Sequence, residues 1–390
     1  MNITIITSET LEEFPPVITL LKTLDQFGHN LTFIAPYRDI SFKNLRLVGA
    51  EHRYITERPM KWMKQYYSSR IKASAAFHSE RLLRRMFIKQ IPKKYKNEIQ
   101  AADIVWILHE NTMIFGGKYF INHLGPYLYT MYELCIKNEK LSRIYDCAAH
   151  EALLTVVPEY CRAHIVKAYY RLVKMPEILP NKPLEHPKTR NMAITDSEIA
   201  AKISQLKDSG KKIIMYMGIL SSERPLEPLV EAANSSKDYV LAVLGGRTPY
   251  LDRLQQKMGD RFVYLGAVKP PYHLEIASHA DIAYISYVPN NSSINAVFCA
   301  PNKVYEFAGF GIPMLCNDNP GLKYTVEYNR MGVCVPELST EEILLALKNI
   351  DTHYCEMSRA AIRYYEEESV ENAVQRILER YLSLKKEIQS

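Results

Sequence analysis

The sequence has little of several features that mark common protein classes. Its seven cysteines are odd in number and never closer than twelve residues apart, which indicates neither a zinc knuckle nor a disulfide framework. It has no run of about twenty apolar residues, so no membrane-spanning helix is predicted. The apolar residues 3–6 form too short a stretch for a signal peptide and lack a basic start. We therefore expect a cytosolic protein with reduced cysteines.

Positive charge is unevenly distributed along the chain. The net charge is +6 over 390 residues, yet residues 1–195 carry +10 and the remainder carries −4. The length fits two domains of ordinary size, each able to bury its own core. The two halves are therefore expected to face different partners.

Alternating strand and helix patterns predict two α/β domains. In the first half, residues 1–7 and 28–35 read as strands around a helix at 15–27, and two further strands are predicted at 102–110 and 127–132. Residues 175–183 are rich in proline and form the best linker candidate. After them the alternation restarts, with a helix at 226–234 and strands at 211–216, 239–244, 261–265, 281–286 and 313–316. Two Rossmann-like domains with parallel sheets and a cleft between them are predicted, with ligands at the carboxyl ends of the strands.

Residues 300–315 carry the clearest functional pattern. A helix that begins at Pro301 leaves backbone N–H groups unpaired near Asn302 and Lys303, and these groups together with the helix dipole and the lysine charge suit a diphosphate. Glu306 lies about one turn further on. Its carboxylate could accept both hydroxyls of a ribose. The segment indicates a nucleotide site.

This segment resembles the donor-binding segment of GT-B glycosyltransferases, especially the large retaining group called family 4, or glycosyl transferase group 1. That family carries two glutamates eight positions apart; Glu306 occupies the second position, and Phe298 stands where the first, a donor-sugar contact, would be. The resemblance recurs in family order at the strand start Gly28-His29, the linker Leu179-Pro180-Asn181 and the loop Gly218–Pro225.

The resemblance implies the GT-B architecture. Residues 1–178 would form an acceptor domain and residues 179–368 a nucleotide-sugar donor domain, while the terminal helix at 369–390 would pack back on the N-terminal domain. In the loop after the strand at 211–216, Gly218 would let the backbone approach the donor, and Arg224 would replace the family's phosphate-binding lysine. Ile219 replaces the family's arginine, so one usual cation is missing.

Two glycine-containing strand ends complete the predicted donor site. Gly266 and Val268 are expected to lie against the nucleobase through backbone groups, as in similar enzymes. Gly245 and Gly246 fit the same role or simply tight turns between strand and helix. Neither segment identifies the base.

In the N-terminal half, His109 ends a predicted buried strand and resembles the histidine that approaches the donor sugar in family members, which makes it the catalytic candidate. A structural role for a lone histidine at a strand end is the alternative. Other polar groups predicted near strand ends, as base or acceptor contact, are Glu110, Glu133, His150 and Glu151. Residues 8–13 are acidic where the family has a glycine pair, and they would repel a phosphate.

No Asp-x-Asp pair occurs in the chain, although metal-dependent sugar transferases of the other major architecture hold a divalent ion with it. Arg224 and Lys303 would then neutralise the leaving diphosphate together with the helix dipole. No metal and no other cofactor is therefore expected.

Residues 58–96 contain twelve Lys or Arg and one acid, Glu80, interleaved with aromatic and long apolar side chains. That mixture is typical of a helix lying on an anionic membrane surface. A solvated basic helical pair and a nucleic-acid contact are the alternatives. The residues predicted to face the membrane are Arg58, Lys61, Trp62, Lys64, Arg81, Arg84, Arg85, Lys93, Lys94 and Lys96.

Together with these patterns, the resemblance implies a glycosyltransferase, cytoplasmic and peripheral on the inner face of the cell membrane. It would move a sugar from a nucleotide-diphosphate donor to a lipid-linked or growing glycan acceptor in surface polysaccharide synthesis, without nucleic acid as a partner and, if the family's stereochemistry carries over, with retention. A nucleotide-sugar epimerase or hydrolase on the same fold is one alternative. A catalytically silent partner subunit is another, favoured by Phe298, Ile219 and the acidic first loop.

Overall fold

The chain folds into two α/β units. The computed structural model describes residues 1–9, 15–35, 52–55, 70–136, 139–257, 261–288 and 294–389. Unit 1 comprises Met1–Pro180 and Val370–Ser390, and unit 2 comprises Asn181–Ser369. The boundaries expected from the sequence, after residues 178 and 368, lie within two residues of these.

Unit 1 is built on a parallel sheet. Its strands are β1 Asn2–Thr7, β2 Asn30–Ile34, β3 His52–Ile55, β4 Ile104–Leu108, β5 Leu128–Thr130, β6 Leu154–Val157 and β7 Glu177–Ile178, in the spatial order β3-β2-β1-β4-β5-β6-β7. Its helices are α1 Pro15–Gln26, α2 Arg70–Lys94, α3 Lys96–Gln100, α4 Glu110–Ile121, α5 Glu139–Glu151 and α6 Tyr160–Tyr169, with α16 Val370–Gln389 from the end of the chain.

Every residue of β4 is buried, as expected for a parallel strand covered by helices on both faces of its sheet. The strand order reverses between β1 and β4, which pair in register from Ile3 with Ile104 to Thr7 with Leu108. Such a reversal opens a crevice at the carboxyl ends of the two strands. Ser8 and His109 are the first residues past those ends.

Unit 2 repeats this plan. Its strands are β8 Lys212–Met217, β9 Tyr239–Leu244, β10 Phe262–Gly266, β11 Ile282–Ile285, β12 Met314–Asn317 and β13 Gly332–Val335, in the order β10-β9-β8-β11-β12-β13. The order reverses between β8 and β11. Its helices are α7 Ser197–Asp208, α8 Glu227–Ser235, α9 Pro249–Lys257, α10 His273–Ala277, α11 Ile294–Val297, α12 Asn302–Ala308, α13 Pro320–Leu322, α14 Thr340–Thr352 and α15 Tyr354–Glu367, with a π-helical turn at Lys323–Glu327.

Helix α16 belongs to unit 1 although unit 2 precedes it in the chain. Its apolar face packs into the core beside α1 and β4, with Ile377 and Tyr381 fully buried. The Tyr381 hydroxyl donates to the Pro126 carbonyl at 2.8 Å. Arg376 and Arg380 both pair with Glu177 of β7. The last helix thus completes the hydrophobic core of unit 1.

Several local predictions need correction. The strand predicted at 102–110 ends at Leu108, because Glu110 already begins α4. The linker predicted at 175–183 contains β7, the edge strand of unit 1. Helix α12 begins at Asn302, with Pro301 as its N-cap in extended conformation, and is only seven residues long. The sequence reading also missed β3, β6 and β13.

Candidate functional site

The site in unit 2 forms where the strand order reverses. Gly218 follows β8 directly with φ 136°, a conformation that an L side chain rarely adopts. A Cβ atom added to Gly218 would lie 2.8 Å from Cε of Lys303. Glycine therefore lets the Lys303 side chain, which comes from α12, approach the backbone of the loop after β8.

Two cations meet two tyrosines at this point. The ammonium of Lys303 lies 4.8 Å from the ring centre of Tyr216 and 5.9 Å from that of Tyr287. The guanidinium carbon of Arg224 lies 4.8 Å from the Tyr287 ring. Burial raises the pKa of Tyr216 to about 12, so its phenol is neutral near pH 7. Aromatic faces attract cations without cancelling their charge, so both stay available to an anion.

The backbone of Tyr287 is fixed by Asn317, at the end of β12. The Asn317 amide donates to the Tyr287 carbonyl at 2.9 Å, and its carbonyl oxygen accepts from the Tyr287 N–H at 2.9 Å. Asn317 is itself buried. This two-point clamp holds the ring under Arg224.

Lys303 has an unusual protonation equilibrium. Burial, and then the positive charge of Arg224, lower the pKa of its ammonium to about 7. Glu306 acts in the opposite direction but does not outweigh them. Close to neutral pH about half of the Lys303 amines are therefore uncharged until an anion arrives.

Glu306 is held from both sides by histidines. Its Oε1 lies 3.2 Å from Nε2 of His273, and its side chain is 15% exposed. Nε2 of His186 donates to the Glu306 carbonyl at 2.8 Å, while its Nδ1 accepts from the Lys188 N–H at 3.0 Å. Burial lowers the pKa of His186, in keeping with that neutral tautomer. The contact with His273 thus orients the Glu306 carboxylate.

The remaining predicted donor residues lie around this group. Asn302 opens α12 and is half-buried. Gly266 ends β10 with φ 88°, and its carbonyl accepts from the Gly245 N–H at 2.8 Å. Val268 packs partly against the core. The structure brings Gly218, Arg224, Lys303 and Glu306 to one region of unit 2, and the nucleobase role of Gly266 and Val268 stays a prediction.

Sequence reasoning missed Tyr216, Tyr287 and His273. Tyr216 lies near the end of β8, and Tyr287 follows the end of β11 by two residues. Their positions at predicted strand ends were a signal that could have identified them. His273, the partner of Glu306, begins α10. No signal in the sequence connects it with a residue thirty-three positions later.

In unit 1, His109 lies at the corresponding crevice and caps α4. Its φ is 75°, a strained conformation for a residue with a Cβ. Its Nδ1 accepts from the Asn111 N–H at 3.4 Å and lies 3.3 Å from Oε2 of Glu110. One nitrogen cannot accept from one group and donate to the other at once, so only one of these two contacts is a hydrogen bond at a time.

The first loop is less repulsive than its composition indicates. Arg84 of α2 donates to the Glu9 carboxylate and to the Ser8 carbonyl, at 2.8 and 2.9 Å. Asn111 also donates to Glu9, at 3.0 Å. Burial tends to raise the pKa of Glu9, but His109, Asn111 and Arg84 outweigh it and lower that pKa. Residues 10–13 lie outside the described residues, so only the Glu9 part of the prediction is corrected.

The other polar candidates of unit 1 separate into two groups. Glu110 is fully buried, which raises its pKa, and it accepts from the Glu133 N–H at 2.7 Å. Glu133 faces solvent, 3.7 Å from Arg162. His150 and Glu151 end α5, just before β6. They therefore lie at the amino edge of the sheet, and the prediction that they approach the site is wrong.

Helix α2 presents a basic and apolar surface. Every fourth residue of it, from Arg81 through Arg85 and Lys89 to Lys93, is an exposed cation. Beside them, Leu82 is 58% and Met86 50% exposed. Within the described residues no helix is long and apolar enough to cross a bilayer. We call the surface formed by Arg81, Leu82, Arg85, Met86, Lys89 and Lys93 the α2 stripe.

The structure corrects one of the residues predicted to face the membrane. Arg84 is only 16% exposed and pairs with Glu9, so its assignment to that surface is wrong. Lys94 and Lys96 are exposed at the junction of α2 and α3. Arg58, Lys61, Trp62 and Lys64 lie outside the described residues.

Solved structures with this architecture span nearly the whole chain. HepE from Anabaena in complex with UDP gives a TM-score of 0.68 at 11% identity, over 97% of this chain and 99% of that chain. A glycosyltransferase from Rickettsia africae gives 0.66 at 14%, over 99% and 98%. WaaG, a glycosyltransferase involved in lipopolysaccharide biosynthesis, gives 0.56 at 11%, over 97% and 98%. No protein-family model and no curated protein sequence matches the chain. The chain thus has the GT-B fold, which confirms the architecture expected from its sequence.

Proposed function

We propose that the chain is a glycosyltransferase that uses a nucleotide-diphosphate sugar as donor. The observation that carries this proposal is the convergence of Arg224, Lys303 and Glu306 at the strand reversal of unit 2. Two cations on neutral rings suit a diphosphate, and an oriented carboxylate suits the ribose hydroxyls. The presence of UDP in the HepE structure supports the same class of ligand.

The chemistry follows from these charges. When the bond between sugar and diphosphate breaks, negative charge develops on the leaving oxygen, and preorganised cations stabilise it most at that moment. Arg224 and Lys303 supply two such cations from this chain, so we propose transfer without a metal ion. Transfer with retention is proposed from the resemblance alone. In unit 1, His109 is the candidate group beside the reacting carbon.

Calorimetry tests the donor site. UDP, GDP, ADP, CMP and their common sugar conjugates are titrated, without metal and with EDTA, into the wild type and into Glu306→Gln. We expect one nucleotide to bind, and the variant to bind it about 10- to 100-fold more weakly, because a charge-assisted hydrogen bond contributes about 1.5–3 kcal/mol. His164→Gln, at an exposed position of α6 in unit 1, serves as control. No binding by the folded wild type would favour the silent subunit.

Transfer is then separated from epimerisation by the acceptor. A transferase forms product only when an acceptor is added, whereas an epimerase or hydrolase consumes the sugar nucleotide alone. If neither assay gives turnover, the chain is a catalytically silent subunit. Two substitutions favour that outcome: the exposed Ile219 replaces the family's arginine, and Phe298 replaces its first glutamate.

We further propose that the α2 stripe attaches the protein to the anionic inner face of the cell membrane, with a lipid-linked or growing glycan as acceptor. Its cations supply electrostatic attraction, and Leu82 and Met86 supply exposed apolar area beside them. The similarity to WaaG, a glycosyltransferase involved in lipopolysaccharide biosynthesis, supports a surface glycan as product.

Flotation with vesicles tests this attachment. The wild type should float with phosphatidylglycerol vesicles and not with phosphatidylcholine. Arg85→Gln/Lys89→Gln should weaken the association about 30-fold, since each basic residue near such a surface contributes roughly 1 kcal/mol. The matched control is Lys202→Gln/Lys211→Gln in unit 2, which removes the same charge elsewhere. Equal flotation with neutral lipid would contradict the electrostatic argument.

A further inference from the structure

A second concave region lies in unit 1, at the opposite edge of the sheet from His109. It is a cavity of about 460 Å³ whose wall includes Ala102, just before β4, and Pro126, just before β5. These residues mark the amino ends of the two strands. Strand β4 is five residues long, which separates the cavity from the carboxyl edge by about 16 Å. The cavity is therefore distinct from the proposed catalytic crevice.

Three lysines from three helices converge on this cavity. Lys93 comes from the end of α2, Lys96 from the start of α3, and Lys385 from α16. His123 and Tyr119 add two more polar side chains to the wall. Among the described residues that line the cavity, none is acidic.

The ammonium of Lys385 is held in place by a backbone group, which does not neutralise its charge. Lys385 donates to the Asp103 backbone carbonyl at 2.7 Å, which points its ammonium at the wall. The Asp103 carboxylate instead accepts from the Asn2 N–H at 2.8 Å. Within the described part of the chain, Lys93 and Lys96 make no ion pair. Three like charges around one concavity repel one another, and an anion between them would remove that repulsion.

The other residues that line the cavity indicate which kind of anion it suits. Ile99, Val105 and Leu124 are buried apolar residues that line the cavity. His123 donates from Nδ1 to the Tyr119 carbonyl at 2.7 Å, which fixes its ring. Several point charges beside an apolar lining suit a compact, doubly charged group that carries a carbon chain.

We propose that this cavity binds a phosphate monoester, either as the head group of an anionic membrane lipid or as a soluble phosphate ester. The site does not depend on the nucleotide site of unit 2. It is also separable from the α2 stripe, since Lys96 and Lys385 lie off the stripe and only Lys93 belongs to both.

The experiment compares two vesicle compositions at matched surface potential: phosphatidic acid, a monoester, and phosphatidylglycerol, a diester. The soluble arm uses sn-glycerol 3-phosphate in calorimetry. Three full-length proteins are compared: the wild type, the cavity variant Lys96→Gln/Lys385→Gln, and the stripe variant Arg85→Gln/Lys89→Gln. Lys96→Glu replaces the cavity variant if loss of the Lys385 contact lowers the melting temperature.

We expect the wild type to bind a monoester about tenfold more tightly than a diester, because a monoester carries a second negative charge that the cavity lysines attract, and we expect the cavity variant to lose that preference. The stripe variant should weaken binding to both vesicles equally and keep the preference. Preference on vesicles alone identifies a lipid head group, and binding of glycerol 3-phosphate that the cavity variant loses identifies a soluble ester. If wild type and cavity variant behave alike in both arms, the site is overturned, whatever the nucleotide titrations and the phosphatidylglycerol flotation give.

Discussion

UDP-glucose should bind about 20-fold more weakly at pH 8.5 than at pH 6.5, if UDP is the donor nucleotide. The pKa of Lys303 is about 7 in the free protein, because burial and Arg224 disfavour its charged form. A bound diphosphate favours that form and raises the pKa again. Binding above pH 7 therefore takes up a proton, and affinity falls as the proton becomes scarce.

The size of the effect follows from the charged fraction of Lys303. With a pKa of about 7, roughly three quarters of the amines are charged at pH 6.5 and about 3% at pH 8.5. UDP-glucose is the right probe, because its diphosphate has no proton that titrates in this range. Calorimetry in two buffers of different ionisation enthalpy would also count the proton directly.

Lys303→Met gives the matched control for this prediction. Methionine keeps an unbranched chain over the Tyr216 ring but has no charge to gain. The variant should bind more weakly than the wild type at pH 6.5 and show no dependence on pH, so the ratio between the two affinities should shrink about 20-fold from pH 6.5 to pH 8.5. A wild-type affinity that is flat between these pH values would refute the coupling.

Tyr381→Ala should lower the free energy of unfolding of unit 1 by about 3–5 kcal/mol, the usual cost of truncating a buried aromatic side chain. Tyr381 is fully buried in a core shared with β4, and its hydroxyl donates a hydrogen bond to the Pro126 carbonyl. Urea unfolding followed by tryptophan fluorescence measures this unit alone. Both tryptophans, Trp62 and Trp106, belong to the sequence of unit 1.

Two further variants make the interpretation specific. Tyr381→Phe removes only the hydroxyl and should cost about 1 kcal/mol. Leu347→Ala truncates a fully buried residue of unit 2 and should leave the tryptophan-detected transition in place. If Tyr381→Ala also leaves that transition unmoved, α16 does not contribute to the core of unit 1.

The alternation of strand and helix was sufficient to predict the architecture. Strands such as β4 and β9 are unbroken apolar runs that end before glycine or polar residues. Helices between such strands indicate parallel pairing, and right-handed crossovers limit how the strands can be arranged in space. The two-residue strand β7 lies among prolines, so the composition of this segment predicts a linker rather than a strand. Its pairing with β6 depends on the fold around it.

The candidate site was predictable only in part. Gly218, Arg224, Lys303 and Glu306 follow strand ends or begin a helix, so the pattern itself brings them near one edge of a sheet. The contact between His273 and Glu306 is different, because it depends on how a loop returns to the sheet. Likewise, the sequence around Arg84 predicts one more surface cation, because its partner Glu9 lies 75 positions away in the chain.

The return of α16 to unit 1 also bears on the order in which the protein is made. Synthesis proceeds from the amino terminus, so residues 181–369 are complete while the first unit still lacks Val370–Gln389. The apolar surface of unit 1 that receives Ile377 and Tyr381 therefore stays uncovered until Val370–Gln389 has been synthesised. On the ribosome the second domain can mature first, and a nascent chain stalled before residue 370 would expose an unfinished core to chaperones.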